Sequence, residues 1–247
     1  MSLPEIASHE EWLEARRQLL AREKEMTHRY DALNADRRRL PMVRIDKPYQ
    51  FAGPGGEASL LDLFEGRRQL IIQHFMFDPS WDDGCPSCSA AADEMSDGLL
   101  SHLHARSTTF AAVSRAPLAR IDDYRSRRGW TFPWYSSAGS DFNYDFHVTI
   151  DESVAPMEIN YRSRHELEAK GDSAVESPQP FELPGISCFL RDGDSVFHTN
   201  STFARGTEML GGAYTFLDLT ALGRQEDWEE PRGRAGDAHR AIPDFSE

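Results

Sequence analysis

The chain has 247 residues, with 27 Lys and Arg against 41 Asp and Glu and a formal charge of −14. That length supports one large domain or two small ones, and the negative field disfavours nucleic acid and anionic membranes as partners. No stretch approaches the roughly 18 consecutive apolar residues of a membrane span, and the start MSLPEIASHEEW lacks the basic flank and apolar run of a secretory signal, so a cytoplasmic protein is expected.

Ser8-His9-Glu10-Glu11 has the spacing of a capping box, and it predicts a helix running to about Asn34. Trp12, Leu19, Met26 and Leu33 recur every seven residues, with Leu13, Leu20 and Tyr30 beside them, which makes one apolar stripe on a charged rod. Arg16 and Glu23 interrupt the second position of a heptad seam, so residues 1–39 are expected to be a helical arm that docks on the main domain or on a second copy, giving a homodimer. Leu40-Pro41 ends this segment. Gly53-Pro54-Gly55-Gly56 then predicts a hairpin turn, and a short helix is expected near 59–64.

QLIIQHFMF (69–77) and TTFAAVS (108–114) are continuous apolar runs of the kind that parallel strands buried on both faces require. Between them a helix is expected over about 86–104, and another should start near Pro117. Strand and helix alternating in this way predict an α/β domain with a mixed central sheet, spanning 40–224. Residues 151–184 are polar, with four prolines and no sustained period, and are expected to be a long insertion. ISCFLR (186–191) and SVFHT (195–199), joined through Asp192-Gly193-Asp194, predict a hairpin, followed by a helix near 202–211. The charged residues 225–247 are expected to be a flexible tail.

Of three cysteines, Cys85 and Cys88 form a CxxC directly after the first buried strand. In an intracellular protein this pattern means metal binding, redox chemistry or simple packing. A metal would need two more ligands, and His102-Leu103-His104 has the wrong spacing for a finger and splits its imidazoles between two sides of a helix, so no metal site is expected. If Cys85 is the N-cap, Pro86 sits where a missing N–H costs nothing, and Cys88 falls on the inward face with Ala92, Met95, Leu99 and Leu103. One accessible thiol and one shielded thiol at a helix N-terminus is the asymmetry that dithiol exchange uses. The neighbouring Asp82, Asp83, Asp93 and Glu94 would act against it by raising the thiol pKa.

The strand, DPSWDDG, CPSC and following helix resemble the strand–CxxC–helix core of thioredoxins, and LLDLFEGRRQL with its hairpin resembles the lead-in of peroxiredoxin-like members. RRRLPMVRIDKPY, HFMFDPSWDDGCPSCS, FAAVSRAPLARIDDYRSRRGWTFPWYSSAGSDFNYDF and HTNSTFARGTEMLGGAYTFLDLTALGR resemble a bacterial family of unknown function with a thioredoxin-like fold, often labelled dithiol-disulfide isomerase-like. The resemblance implies a three-layer thioredoxin-like fold and thiol–disulfide oxidoreductase chemistry without a cofactor, acting on a protein or small-molecule disulfide. Cys85 matches the attacking thiol and Cys88 the resolving one. His74 falls where thioredoxins carry a buried acid, which makes it a candidate relay for the Cys88 proton. One departure is that the strand facing the motif begins Pro184-Gly185-Ile186-Ser187, one or two positions off the cis-proline of thioredoxins. Parallel strands bring their C-terminal ends together, so Ser114 and Arg115 are candidates to flank the thiol, and Trp81, Trp130, Trp134 and Tyr135 to wall a substrate pocket. A thiol peroxidase using Cys85, or a binding protein that keeps the fold without turnover, are the alternatives.

Overall fold

A computed structural model describes residues 4–212. Helix α1 (His9–Arg37) opens with the capping box, Ser8 N–H donating to Glu11 at 2.9 Å and the Glu11 amide donating back to the Ser8 hydroxyl at 3.3 Å. It forms a compact unit distinct from Met42–Gly212. None of its residues is buried, and Arg16 and Glu23 pair at 2.8 Å along the apolar stripe.

The second unit is built on an eight-stranded sheet. Its strands are β1 (Val43–Ile45), β2 (Gln50–Gly53), β3 (Gly56–Ser59), β4 (Gln69–His74), β5 (Thr108–Ser114), β6 (Trp134–Ser136), β11 (Gly185–Asp192) and β12 (Ser195–Phe203). The order is β1-β12-β11-β4-β5-β6-β2-β3, with β4, β5 and β6 parallel and their other neighbours antiparallel. The predicted Pro54-Gly55 turn joins β2 to β3, and Gly193 takes the left-handed conformation (φ 55°) that closes the β11–β12 turn.

Side-chain alternation divides the core in two. Leu70 and Ile72 of β4 with Ala111 and Val113 of β5 face one cluster, which Leu63, Phe64 and Phe142 complete. Phe110 and Ala112 of β5 face the other cluster, together with Trp134, Ile121, Tyr124, Cys85 and Cys88. All seven residues of β5 are buried, the reason its sequence is apolar on both faces. Helices α2 (Pro86–Asp93), α3 (Asp97–His104) and α4 (Leu118–Arg128) cover this second face, and α5 (Phe142–Asp145) lies on the first. This is a thioredoxin-like α/β arrangement, a mixed central sheet between helical layers.

The helices expected over 86–104 and near 202–211 are corrected. The single helix over 86–104 is two, because Ser96 accepts a hydrogen bond from the Leu99 amide at 3.2 Å and starts a new helix with its own cap. The segment read as a long insertion carries secondary structure of its own. It contains β8 (Glu158–Ile159) paired with β9 (Arg162–Ser163), and α6 (Arg164–Ala169), which starts with a Ser163–Glu166 capping box. β10 (Phe181–Glu182) returns to pair with β7 (Thr149–Ile150), closing a small core of Ile150, Met157 and Leu167. The expected helix near 202–211 is a 3-10 segment, Ala204–Leu210, and the tail expected over 225–247 lies outside the described residues. Among the described residues no helix is long and apolar enough to cross a membrane.

Candidate functional site

Cys85 is the N-cap of α2 (φ −54°, ψ 129°), with Pro86 on the first helical position. Its amide donates to Met76 O at 3.0 Å, which ties the motif back to the end of the preceding strand. Gly84, just before it, allows a close approach. A Cβ there would lie 2.6 Å from the Phe75 ring and 3.1 Å from the Tyr124 ring, so any side chain would push the loop off both.

Cys88 lies one turn on, facing the sheet, and no disulfide joins the pair. Both are buried. Cys85, expected to be accessible, is only 8% exposed, because it packs into the cluster that includes Phe75, Phe77 and Trp134. The two sulfurs nevertheless differ. A hydrogen bond from the Cys88 thiol, and to a lesser degree the amides of Cys88 and Ser87 and the Ser87 hydroxyl, bring the Cys85 pKa down to about 6. That same bond to Cys85, with burial next, holds the Cys88 thiol well above the ordinary value. At neutral pH the arrangement is a thiolate accepting a hydrogen bond from a thiol.

The nearby acids, expected to raise the Cys85 pKa, are met by arginines. Asp83 pairs with Arg127 at 2.7 Å and Asp93 with Arg128 at 2.6 Å, and Asp82 lies 3.9 Å from Arg120. Three arginines of α4 therefore lie against three of the four acids that bracket the motif, Asp82, Asp83 and Asp93.

His74 is corrected. It shares the parity of Leu70 and Ile72, so its ring points to the sheet face opposite the cysteines, beside Phe142 and Phe146, and cannot relay the Cys88 proton. It belongs to a buried polar chain: His74 Nε2 to Ser187 Oγ at 2.7 Å, Ser187 to Ser201 at 2.7 Å, Ser201 to His198 Nε2 at 2.8 Å. Burial, with the His198 charge second, lowers its pKa to about 3, so it is a neutral hydrogen-bonding group. The residue that does reach the motif from β4 is Gln73, whose Nε2 donates to Cys88 O at 3.2 Å.

The six residues expected to flank the thiol or wall a substrate pocket are placed as follows. Ser114 is at the predicted edge but fully buried, its hydroxyl donating to Phe75 O at 2.6 Å and accepting from Trp134 Nε1 at 3.0 Å. Trp134 has no exposed surface, and it is core. Arg115 binds Glu182 at 2.7 Å, Asp78 at 2.9 Å and Tyr144 at 3.0 Å, so its charge is spent inside the protein and not on a thiolate. Trp81 remains partly exposed in the loop before the motif, its carbonyl accepting from Arg120. Trp130 and Tyr135 fall in different clusters, Trp130 stacked on Phe132 and Tyr135 against Gly53. Cys188 is half-buried on β11 beside Ile71. The one cis peptide among the described residues precedes Pro180, not Pro184.

Sequence reasoning missed Tyr124 and Ser89. Tyr124 lies 2.8 Å from the Ser89 hydroxyl, which donates to Cys85 O at 3.0 Å. The signal was present as Ile121-x-x-Tyr124, the inward stripe of α4.

Fold and sheet order define a thioredoxin-like protein. The chain belongs to DUF899, a family of bacterial proteins of unknown function that it matches over residues 1–241. No curated protein matches it. Among solved structures it is similar to peroxiredoxin Q of Xanthomonas campestris, at 12% identity and a TM-score of 0.48, covering 69% of this chain and 91% of that one. Peroxidoxin BcpB of Mycobacterium tuberculosis matches at 11% identity and a TM-score of 0.45, over 67% and 86% of the two chains. Peroxiredoxin 6 of Arenicola marina matches at 10% and 0.43, over 72% and 70%.

Proposed function

We propose that the protein is a thiol–disulfide oxidoreductase in which Cys85 attacks and Cys88 resolves. The observation that carries the reading is the CxxC at the start of α2, with Cys85 at the N-cap and Cys88 one turn on, packed inward; the lowered pKa of Cys85 and the raised one of Cys88 agree with it. The Cys85 thiolate attacks one sulfur of a substrate disulfide, forming a mixed disulfide and releasing the other sulfur as a thiolate that takes up a proton. Cys88 then loses its proton and attacks Cys85, releasing the second substrate thiol and leaving the Cys85–Cys88 disulfide. Two electrons pass from protein to substrate, and the reverse sequence oxidises a dithiol partner.

Mass spectrometry of alkylated protein across a dithiothreitol series, with each cysteine read separately, tests this. Cys85 and Cys88 should change together as a two-electron couple, and a pair that stays reduced and unreactive would end the reading. In the reduced form Cys85 alkylation should rise with a midpoint near pH 6. Because folding lowers this pKa, the thiolate's contribution to the reduced protein is fully present above the unfolded thiol value, about 9, and is lost as pH falls through about 6. Reduced protein should therefore gain thermal stability over the oxidised form between these limits.

A second reading, thiol peroxidase, draws support from burial, since a thiolate 8% exposed admits hydrogen peroxide more readily than a protein disulfide. Peroxide would convert Cys85 to a sulfenic acid with release of hydroxide, and Cys88 would displace water to form the disulfide. Oxidation far faster than that of free cysteine would favour it.

We assign no nucleic-acid or membrane partner to this acidic chain, and infer a homodimer through α1 in the cytoplasm. Supporting the dimer are Trp12, Leu19, Met26 and Leu33, all about half exposed on one stripe of α1. The variant Leu19→Glu with Met26→Glu should halve the mass measured by light scattering, and an unchanged mass would remove the dimer contact.

A further inference from the structure

Tyr124 and Arg127 lie one turn apart on α4, and between them they hold the chain on both sides of Cys85. On the C-terminal side, the Ser89 amide and hydroxyl both donate to Cys85 O, at 2.9 and 3.0 Å. With the Ser89 proton spent in that bond, Tyr124 is the donor in the 2.8 Å contact with Ser89 Oγ. On the N-terminal side, the Tyr124 ring lies against Gly84, close enough that a Cβ would sit 3.1 Å from it. Arg127 lies 5.1 Å over the same ring and binds Asp83 at 2.7 Å and Asp123 at 3.0 Å.

We infer that Tyr124 and Arg127 are positioning residues for Cys85: they fix the angle at which the loop enters α2 and so keep the sulfur before the amides of its own helix. The inference rests on the reading of Cys85 as the attacking thiolate and adds to it the residues that hold it ready. Helix-end amides stabilise an anion only at close range, within the first turn, so a looser entry costs the thiolate its donors while leaving the fold in place. Arg127 acts a second way. It neutralises Asp83, two residues from Cys85, which otherwise disfavours the thiolate.

The test uses the reduced full-length protein, with Cys85 alkylation by iodoacetamide followed against pH and thermal unfolding measured in parallel. Tyr124→Phe removes one oxygen and keeps the ring, and should move the alkylation midpoint up by about half a unit, about a twofold loss of rate at pH 6. Combined with Arg127→Gln, the shift should reach about one unit, or about a fivefold loss at pH 6, and Arg127→Lys should recover part of it by restoring the charge. Arg125→Gln, which breaks only the 3.2 Å pair with Asp122, should leave the midpoint unchanged. Midpoints equal to wild type while thermal stability falls would make Tyr124 and Arg127 structural props and overturn the inference. A wild-type midpoint in the ordinary thiol range would instead overturn the reading of Cys85 itself, and the inference with it.

Discussion

Replacing Cys88 by serine is expected to produce a protein that attacks disulfides and then stays attached to them. The N-cap position of Cys85, its Pro86 neighbour and the amides of residues 87 and 88 do not depend on the Cys88 sulfur. A serine hydroxyl can still donate to the Cys85 thiolate, so the attacking group keeps much of its reactivity. What is lost is the second displacement, because an alcohol does not displace a thiolate from a disulfide at neutral pH. Turnover should fall on the order of a thousandfold or more, while a covalent adduct with the substrate thiol accumulates on Cys85. Cys85→Ser should be equally inactive and form no adduct. Intact-mass spectrometry distinguishes the two variants, and a Cys88→Ser protein turning over at the wild-type rate would exclude Cys88 as the resolving thiol. The same variant separates the peroxidase reading, since peroxide would then leave a sulfenic acid on Cys85 that a dimedone probe captures.

What could be read from the chain followed from patterns that are local. The apolar runs of β4 and β5 announce strands buried on both faces, and proline behind Cys85 announces the helix start. Those same runs conceal which face each residue takes. QLIIQHFMF is apolar at both parities, so nothing in it says whether His74 or Gln73 looks toward α2; Gln73 does, and it meets the Cys88 carbonyl and not its thiol. Edge placement was legible for Ser114 and Arg115, because parallel register sets His74 beside Val113. Their occupation was not, since Arg115 is held by Asp78 and Glu182, 37 and 67 residues away. The acids around the motif give the same lesson. Their compensation comes from Arg127 and Arg128, 44 and 35 residues distant, and only the docking of α4 brings them together.

Trp134→Ala is expected to have the largest effect on stability of any single change near the site. Trp134 is wholly buried on β6 and meets Phe75 at 4.4 Å between ring centroids, with Trp130, Phe77 and Tyr124 at 5.7 to 6.3 Å. Truncating it removes the centre of that aromatic group and leaves a cavity, a loss of about 3–5 kcal/mol. Trp134→Phe keeps most of the packing and gives up the indole N–H to Ser114, for about 1 kcal/mol, because Ser114 still donates to Phe75 O. Chemical denaturation of both variants in the reduced state checks the order. The effect should not stop at stability, since Phe75 is also the ring against which Gly84 packs, and a looser Phe75 loosens the entry to Cys85. Trp134→Ala should therefore slow Cys85 alkylation at pH 6.5 under conditions where the protein remains folded. If instead the variant unfolds like wild type and loses only affinity for a disulfide substrate, Trp134 would be a wall of the binding pocket, as its place in the sequence first suggested.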